Sequence, residues 1–433
     1  MAKQPKIGFK TSHKVRMSTA SVVPGMYVCA LDRPWEETPF LFQGFVLRSW
    51  EDVETLQEYC KTVVIDHEKY VELGVGPRRP QRPRSDRKEA RRKRPPPSTP
   101  RVKVEEMLPE ALETYRASTE LIGDIMDDVR LGRAIDTPAA KEAVSACVDH
   151  VLKNPEAMLL LSRVRDKDAY TSQHCLSVAI LSIALGRSLG MDTGQLNEVG
   201  LCGLLHDVGK VVIPDEVLLK PGRLTPQEML VMQKHPVEGR NIIMSTDGLG
   251  LAALDVAHSH HERLNGSGYP RGLRADQLTP YTKIVAIADT YDAITSDRIY
   301  NYGRAPTVAF DVLWKGVGRL WDPRMVVHFV RALGVYSPGS VVELNTGALA
   351  VVVASNPGHR LRPRLLVLPP DDLPPEAGTL LDLSKVHTDP FGEPLQIVRM
   401  HSPSKAEVDL RELAEKGLLE NLVELPQTAL EKG

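Results

Sequence analysis

The sequence predicts a mainly α-helical protein in which a central helical bundle is flanked by a small N-terminal α+β module and a short C-terminal β-rich extension. Three observations predict this fold class. Apolar residues recur at helical spacing from 104 to 335, a basic and proline-rich stretch precedes that region, and short runs of β-forming residues lie outside it. We therefore divide the chain into a module at 9–76, a linker at 77–103, a helical domain at 104–335, and an extension with its tail at 336–433.

The N-terminal module contains three candidate strands and one candidate helix. The runs "MYVCAL", "FQGFVLR" and "CKTVVID" are rich in Val, Tyr, Phe and Ile and are separated by Pro and Gly, which is typical of strands. The stretch "SWEDVETLQEYC" predicts a helix with Ser49 as its N-cap and Leu56 on its apolar face. We expect this module to have a regulatory or partner-binding role.

The linker "PRRPQRPRSDRKEARRKRPPPSTPRVK" is dominated by Arg, Lys and Pro. Such a segment buries too little apolar surface to offset its ordering entropy, which predicts a disordered or extended connection. A basic run can also contact nucleic acid or anionic lipid. Because no aromatic residues are interleaved for base stacking, we expect no specific nucleic-acid partner.

The helical domain is long enough for roughly eight or more helices of average length. Stretches such as "ALETYRASTELIGDIMDDV" and "AAKEAVSACVDHVLKNPEAMLLLSRV" place apolar residues at positions i, i+3 and i+4. In the extension, "GSVVELNTGALAVVVASNP" (339–357) and "RPRLLVL" predict strands with a turn at NTG, and the tail "RELAEKGLLENLVELPQTAL" predicts a helix.

Composition excludes several classes of protein. The net charge of −2 over 433 residues predicts no particular partner. The sequence contains no run of about 18 apolar residues, so we expect no membrane-spanning helix. The first residues, "MAKQPKIGFK", lack the apolar core of a signal peptide, so we expect a cytoplasmic location. The five cysteines are scattered without a CxxC pair, which argues against a disulfide framework or a thiolate zinc site.

Five histidines and two aspartates stand out in the helical region. Each lies on or beside an apolar helical run. One histidine starts a helix, the His–Asp pair ends the next, a single histidine ends a third before a proline, the His–His pair ends a fourth, and an aspartate lies inside an apolar segment. Successive members are separated by 25 to 32 residues, about one helix and its connection, so consecutive helices can aim them at one point. They are His174, His206, Asp207, His235, His260, His261 and Asp289.

The combination of these residues predicts a metal centre. A lone histidine on an apolar helix face is usually a hydrogen-bonded core residue, but five imidazoles and two carboxylates near one core are costly without a cation. Neighbouring helical residues point about 100° apart, so the His206–Asp207 and His260–His261 pairs suit two ions bridged by Asp207. The mixed nitrogen and oxygen ligands favour iron or manganese, with zinc as an alternative, over magnesium and calcium.

Lys210 follows Asp207 by three residues and can reach the same face, so we expect it to contact a substrate phosphate. Two metal ions activate a bridging hydroxide and clamp a phosphoryl group. The residues alone therefore predict a metal-dependent phosphohydrolase, with Asp207 and Lys210 acting in catalysis.

The motifs resemble those of the HD-GYP family, a subgroup of the HD-domain metal phosphohydrolases. The resemblance is carried by "HDVGK", then a spaced histidine, then "HHERLNGSGYPRGL" and "KIVAIADTYDAITSDRIY", and it spans roughly residues 160–310. Residues 23–66 resemble the small domain that precedes HD-GYP in one subgroup, and "SPGSVVELNTGALAVVV" resembles that subgroup's C-terminal extension. The resemblance implies that the bundle is of the HD type.

The family hydrolyses the second messenger cyclic di-GMP to the linear pGpG and, in many members, to GMP. Motif by motif, the resemblance implies that the seven residues named above are metal ligands and that Lys210 and Arg298 contact phosphate. It also places Gly268, Tyr269 and Pro270 on a loop beside the substrate. Three glycines around one tyrosine in "NGSGYPRG" independently indicate a loop that lies close to a ligand.

Three positions depart from the family pattern. Tyr170 stands where some members have a glutamate that holds a third ion, so we expect two metals. Asn265 replaces the usual aspartate before GSGYP, which we expect to affect the loop and not the metal ligands. After Arg298, Ile299-Tyr300-Asn301 replaces Pro-Tyr-Lys, so one phosphate contact is missing or Arg304 supplies it.

These observations favour a cyclic di-GMP phosphodiesterase that uses a two-metal-activated hydroxide. Two alternatives stay open at the sequence level. One is a catalytically weak module that binds cyclic di-GMP and signals through protein contacts, and the other is an HD phosphohydrolase for a different nucleotide. The leading hypothesis includes a signalling-protein partner for the N-terminal module and a homodimer.

Overall fold

A computed structural model describes residues 14–33, 38, 44–66, 69, 71, 102–165, 169–296, 303–356, 359–368, 379–389, 392–402, 406 and 408–418. Linker residues 77–101 lie outside these ranges. The chain divides into two compact units, Met1–Pro96 and Pro97–Gly433. Among the described residues, no helix combines the length and apolarity needed to cross a bilayer.

The first unit is an antiparallel sheet with one helix. The strands lie in the order β1–β4–β2–β3, and Lys14 of β1 pairs with Asp66 of β4. The helix begins at the N-cap predicted, Ser49, whose side chain accepts from the amide of Asp52, and Asp52 completes a capping box. Strand β1 was not predicted: polar and apolar residues alternate along KVRMS, but the run is short, holds a single β-branched residue and is mostly exposed. The elements are β1 (Lys14–Ser18), β2 (Tyr27–Leu31), β3 (Phe45–Val46), α1 (Trp50–Tyr59) and β4 (Thr62–Asp66).

The second unit opens with the helical bundle. Its α-helices are α2 (Val104–Arg130), α3 (Thr137–Lys153), α4 (Pro155–Leu161), α5 (Tyr170–Leu189), α6 (Thr193–Leu205), α7 (Asp215–Leu218), α8 (Pro226–Met232), α9 (His235–Met244), α10 (Leu251–Ser259), α11 (Pro280–Thr295), α12 (Pro306–Lys315) and α13 (Pro323–Leu333). The predicted mainly α-helical fold is confirmed.

Two details of the bundle differ from the sequence analysis. The single apolar pattern over 139–164 is two helices, because Asn154 interrupts it and its side chain caps α4 at the amide of Glu156. His235 is the first residue of α9, whereas the pattern placed it at the end of the preceding helix. The proline after it is tolerated because the first turn of a helix needs no internal amide bond.

A helical hairpin in the middle of the bundle brings distant residues together. Helix α5 ends at Gly190, whose φ of 85° is left-handed, and Asp192 caps α6 directly afterwards. A short connection makes the two helices antiparallel, so the start of α5 and the end of α6 lie at the same end. They cross closely, because a Cβ at Gly203 would lie 2.8 Å from Cα of Ala179.

The unit closes with a five-stranded antiparallel sheet and a short helix. The strand order is β8–β7–β6–β5–β9. The guanidinium of Arg364 donates two 2.9 Å bonds to the carboxylate of Glu105 at the start of α2. The elements are β5 (Val341–Leu344), β6 (Leu349–Ala354), β7 (Arg364–Val367), β8 (Thr379–Asp382), β9 (Ile397–His401) and α14 (Leu410–Glu415).

The sheet and the bundle are joined by a buried carboxylate, which yields the first prediction. Glu156 in α4 is 8% exposed, and its side chain accepts the amide of Ser355 at 2.7 Å and also the Ser355 hydroxyl. In E156A both donors lose their acceptor, so we expect the free energy of unfolding to fall by about 1–3 kcal/mol. Chemical denaturation followed by circular dichroism measures this value.

E110A is the matched control. The side chain of Glu110 is 66% exposed and lies 3.8 Å from the Lys153 ammonium, so its removal should change stability by no more than about 0.5 kcal/mol. Equal effects of E156A and E110A would contradict the structural role of Glu156.

Candidate metal centre

Three buried histidines are held in one tautomer by nearby backbone carbonyls. Each donates its Nδ1–H to the backbone carbonyl three residues earlier, at 2.7 Å for His206, 2.8 Å for His235 and 3.1 Å for His260. Because a carbonyl can only accept, the proton lies on Nδ1 and the lone pair lies on Nε2. All three Nε2 atoms face Asp207.

His174 is oriented in the same way, but by a carboxylate. Its Nδ1 lies 2.7 Å from Oδ2 of Asp292, which is 2% exposed. The other oxygen of Asp292 accepts from the guanidinium of Arg165, which also donates to the hydroxyl of Ser296 at 2.8 Å. A carboxylate behind a metal-ligating imidazole fixes the ring and raises its basicity.

The carboxylate of Asp207 lies between two groups of imidazoles. Its Oδ2 is 3.3 Å from Nε2 of His174 and 3.2 Å from Nε2 of His206. Its Oδ1 is 3.3 Å from Nε2 of His235 and 3.6 Å from Nε2 of His260. Each carboxylate oxygen therefore faces its own pair of nitrogens, as expected of a carboxylate that bridges two ions.

The donor atoms have the arrangement expected of a site that can bind metal. The Nε2 atoms of His235 and His260 are 3.2 Å apart although both carry lone pairs. Nε2 of His206 and Oδ1 of Asp207 are buried without a hydrogen-bond partner among the described residues. Burying such acceptors unpaired is unfavourable, so the cluster has the chemistry of a site that can bind metal.

His261 and Asp289 complete the set predicted from the sequence. Asp289, on α11, places Oδ1 3.4 Å from Nε2 of His174 and 4.0 Å from Nε2 of His206. Its Oδ2 lies 4.0 Å from Nδ1 of His261. His261 belongs with Asp207, His235 and His260 to one group of closely spaced ligand atoms, and the second group is His174, His206 and Asp207.

The two groups differ in electrostatics. Burial lowers the pKa of His235 to about 3, and the positive charge of Lys210 acts in the same direction. Burial also opposes protonation of His174, but hydrogen bonds to Asp207, Asp289 and Asp292 outweigh it and raise the pKa of His174 well above 6.5. The His174 side is therefore the more electron-rich half of the centre.

Lys210 lies at the edge of the cluster. Its ammonium donates to Oδ2 of Asp207 at 2.5 Å, and its side chain is 26% exposed. Burial opposes the charge, yet the carboxylate of Asp207 raises the pKa of Lys210 above its ordinary value. Lys210 therefore stays charged beside the ligands while it remains accessible from outside.

The loop with Gly268 and Tyr269 packs directly on the ligand segment. A Cβ at Gly268 would lie 2.3 Å from Cα of Glu262 and 2.5 Å from the carbonyl oxygen of His261, so only glycine fits. The ring of Tyr269 stacks on that of His261 at 4.7 Å between centroids. The buried carboxylate of Glu262 accepts the amides of Arg271 at 2.7 Å and of Leu273 at 2.9 Å, which holds the far side of the loop.

Of the three positions that depart from the family pattern, the structure describes Asn265 and Tyr170. Asn265 makes a local turn, because its Oδ1 accepts the amide of Ser267 at 3.1 Å and its hydroxyl at 2.7 Å. The ring of Tyr170 stacks on His174 at 6.3 Å. Arg304 is exposed, whereas Arg298 and the Ile299-Tyr300-Asn301 segment lie outside the described residues.

Sequence reasoning missed three residues that support the site. Asp292 follows Asp289 by three residues, so both face the same side of α11, and this spacing was the signal available. Glu262 was visible as the third residue of "HHE". Arg165 gave no signal, because its ion pair with Asp292 joins positions 127 residues apart.

Comparison with known proteins identifies the family. The model of the HD domain matches residues 155–325, and a model described as a domain of unknown function (DUF3391) matches residues 14–140. A protein of Pseudomonas aeruginosa named as a cyclic di-GMP phosphodiesterase is 36% identical over 352 residues, which are 79% of this chain and 82% of that relative. The chain belongs to the HD-GYP family.

Other curated relatives match less than half of the chain. A Thermotoga maritima protein named cyclic di-GMP phosphodiesterase is 36% identical over 194 residues, 44% of this chain and 52% of the relative. A Vibrio cholerae protein named 3'3'-cGAMP-specific phosphodiesterase 1 is 40% identical over 192 residues, 44% of each chain.

The carboxylate behind His174 gives a prediction for this HD-GYP chain. D292N removes the charge that orients and polarises the imidazole, so we expect affinity for Mn²⁺ to fall by about tenfold or more. Calorimetric titration of the metal-free protein measures the change. D124N, at an exposed aspartate of α2, is the control and should bind Mn²⁺ as the wild type does. Unchanged affinity in D292N would show that Asp292 does not support the centre.

Proposed function

We propose that the chain is a metal-dependent phosphodiesterase that hydrolyses cyclic di-GMP to pGpG. The observation that carries this proposal is the buried carboxylate of Asp207 between two groups of Nε2 atoms, each of which can hold one ion. The name of the relative that matches 79% of the chain supports the choice of substrate.

We propose that the seven predicted residues hold two transition-metal ions, with iron or manganese favoured and zinc as the alternative. Five imidazoles and two carboxylates match the ligand preference of these metals. Tyr170 supports two ions and not three, because a neutral phenol stands one turn before His174 where a third carboxylate ligand would be needed. When bound, such ions lower the pKa of a coordinated water and neutralise phosphate charge.

The residues of the chain then have distinct roles. We propose that Asp207 holds both ions in register and that Lys210 interacts with the negative charge that develops on the phosphate. Tyr269, fixed by its stack on His261 and by the Gly268 contact, lies where it can orient the rest of the substrate. Pro270 and Arg298 keep their proposed substrate contacts from the family pattern.

The alternative of a binding module without turnover is not favoured. In the structure the seven proposed ligands lie together in one buried cluster, and the charge of Lys210 stays at its edge. We also propose that the N-terminal unit contacts a signalling protein and that the chain acts as a homodimer. Size-exclusion chromatography with light scattering tests the homodimer.

The test of the function compares ligand and non-ligand histidines. Removal of a group behind a metal ligand typically costs up to about 100-fold in activity, so loss of a ligand in H235A or H260A should cost more than that. H258A is the matched control, since His258 lies on α10 two residues before His260, is partly exposed and belongs to neither group of closely spaced ligand atoms. We expect H258A to retain wild-type turnover.

The assay uses protein purified without oxygen, elemental analysis, and chromatography of the products. The substrates are cyclic di-GMP, 3'3'-cGAMP and cyclic di-AMP. Turnover of cyclic di-GMP by H235A or H260A at the wild-type rate would contradict the mechanism. Hydrolysis of cGAMP in preference to cyclic di-GMP would contradict the substrate while leaving the metal centre intact.

A further inference from the structure

Trp321 is a buried tryptophan in the connection between α12 and α13. It is 4% exposed, and its indole Nε1 is buried without a hydrogen-bond partner among the described residues. A tryptophan whose N–H is left unpaired gives up stability that a phenylalanine or leucine would keep. A tryptophan at this position is therefore better explained by a contact made through the face of its ring.

A tight turn fixes the indole in place. The carbonyl of Gly316 accepts the amide of Leu320 at 2.7 Å, and the amide of Gly318 donates to the carbonyl of Trp321 at 2.9 Å. A Cβ at Gly316 would lie 2.5 Å from the indole Nε1, so the backbone touches the ring edge and leaves it no room to turn. Asp322, the next residue, caps α13.

The face of this ring holds the guanidinium of Arg263. Its central carbon lies 4.5 Å from the Trp321 ring centroid, a cation–π contact. The same guanidinium donates through Nη1 to the carbonyl of His260 at 3.1 Å and to the carbonyl of Glu262 at 2.8 Å. A second link is the amide of Leu264, which donates to the carbonyl of Leu320 at 3.3 Å.

These contacts hold the backbone on both sides of His261. The two carbonyls that accept from Arg263 belong to the residues directly before and after His261 in the chain. His260 presents its Nε2 to Asp207, and the ring of His261 supports Tyr269. A rotation of this short segment would therefore displace a proposed metal ligand and the substrate loop together.

We propose that Trp321 is a positioning residue for the His260–His261 pair and acts through the guanidinium of Arg263. Trp321 contributes no atom to the two groups of closely spaced ligand atoms. The inference rests on the proposed metal centre. It gives the connection between α12 and α13 the role of supporting the backbone that carries His260 and His261.

The experiment measures metal affinity separately from activity. The full chain is stripped of metal without oxygen and titrated with Mn²⁺ in a calorimeter, and thermal unfolding of each variant is recorded. W321L and R263Q should each weaken Mn²⁺ binding by about tenfold, as residues behind metal ligands typically do. The double variant should lose little more than either single variant, because both act through one contact.

F329L is the matched control. Phe329 on α13 is fully buried, and its ring contacts that of Tyr291 at 5.2 Å, so the change removes an aromatic ring from the same region without touching Arg263. We expect F329L to lower the unfolding temperature and leave Mn²⁺ affinity unchanged. Wild-type affinity in W321L, or equal losses in W321L and F329L, would overturn the proposal.

If W321L does not fold, a double-mutant cycle with milder substitutions tests the same coupling between Trp321 and Arg263. W321F keeps a smaller aromatic face, and R263M keeps the stem of the arginine without its charge. W321F should weaken Mn²⁺ binding in the wild-type background and have no further effect in the R263M background. The same effect in both backgrounds, or none in either, would overturn the proposal.

The outcomes also separate this inference from the proposed function. If the unaltered chain binds none of Mn²⁺, Fe²⁺ and Zn²⁺, the metal centre itself is wrong. If it binds Mn²⁺ and the Trp321 and Arg263 variants bind equally well, only the positioning role is wrong.

Discussion

The fold of the helical unit depends on one constraint, the convergence of imidazole lone pairs on the buried carboxylate of Asp207. Four Nε2 atoms from four separate chain segments lie within 3.6 Å of its two oxygens. The Nδ1 atoms of His206, His235 and His260 face backbone carbonyls and that of His174 faces Asp292, so each ring presents Nε2 to the carboxylate. Such an arrangement suits a site that can bind a cation, which would accept these nitrogen lone pairs.

Close backbone contacts make this convergence possible. Gly209, two residues after Asp207, lies so near the start of α9 that a Cβ would be 2.0 Å from the carbonyl oxygen of His235 and 2.3 Å from the amide nitrogen of Gly239. Gly268 shows the same feature on the other side of the centre. The glycines in "HDVGK" and "GSGYP" are therefore explained by packing, since each lets a second segment of backbone reach the ligand atoms.

The sequence predicted the fold class and the residues that lie around Asp207, because both depend on patterns among residues that are close in the chain. Helical periodicity gave the bundle, and polar residues at the ends of apolar runs gave the histidines and aspartates, whose role as ligands stays a prediction. The supporting contacts could not be predicted from the sequence, because they join residues that are far apart in the chain. The links from Arg165 to Asp292 and from Glu156 to Ser355 join residues 127 and 199 positions apart, so no local pattern predicts either pairing. His235 was misplaced on its helix because a histidine before a proline suits the first turn of one helix as well as the end of another.

The supporting contacts share one mode of action, which explains why they lie outside the ligand set. Carbonyls of the helices hold Nδ1 of three histidines, Asp292 holds the fourth, and Arg263 holds the carbonyls on both sides of His261. Each contact fixes the orientation of a histidine ring or of its backbone and contributes no donor atom to the centre. The Nε2 atoms therefore face one another whether or not a cation is bound. A site built in this way gives up stability in its metal-free form, because buried acceptors remain unpaired there. A metal bound at these atoms would remove that cost, and its binding would then be coupled to the stability of the helices that carry them.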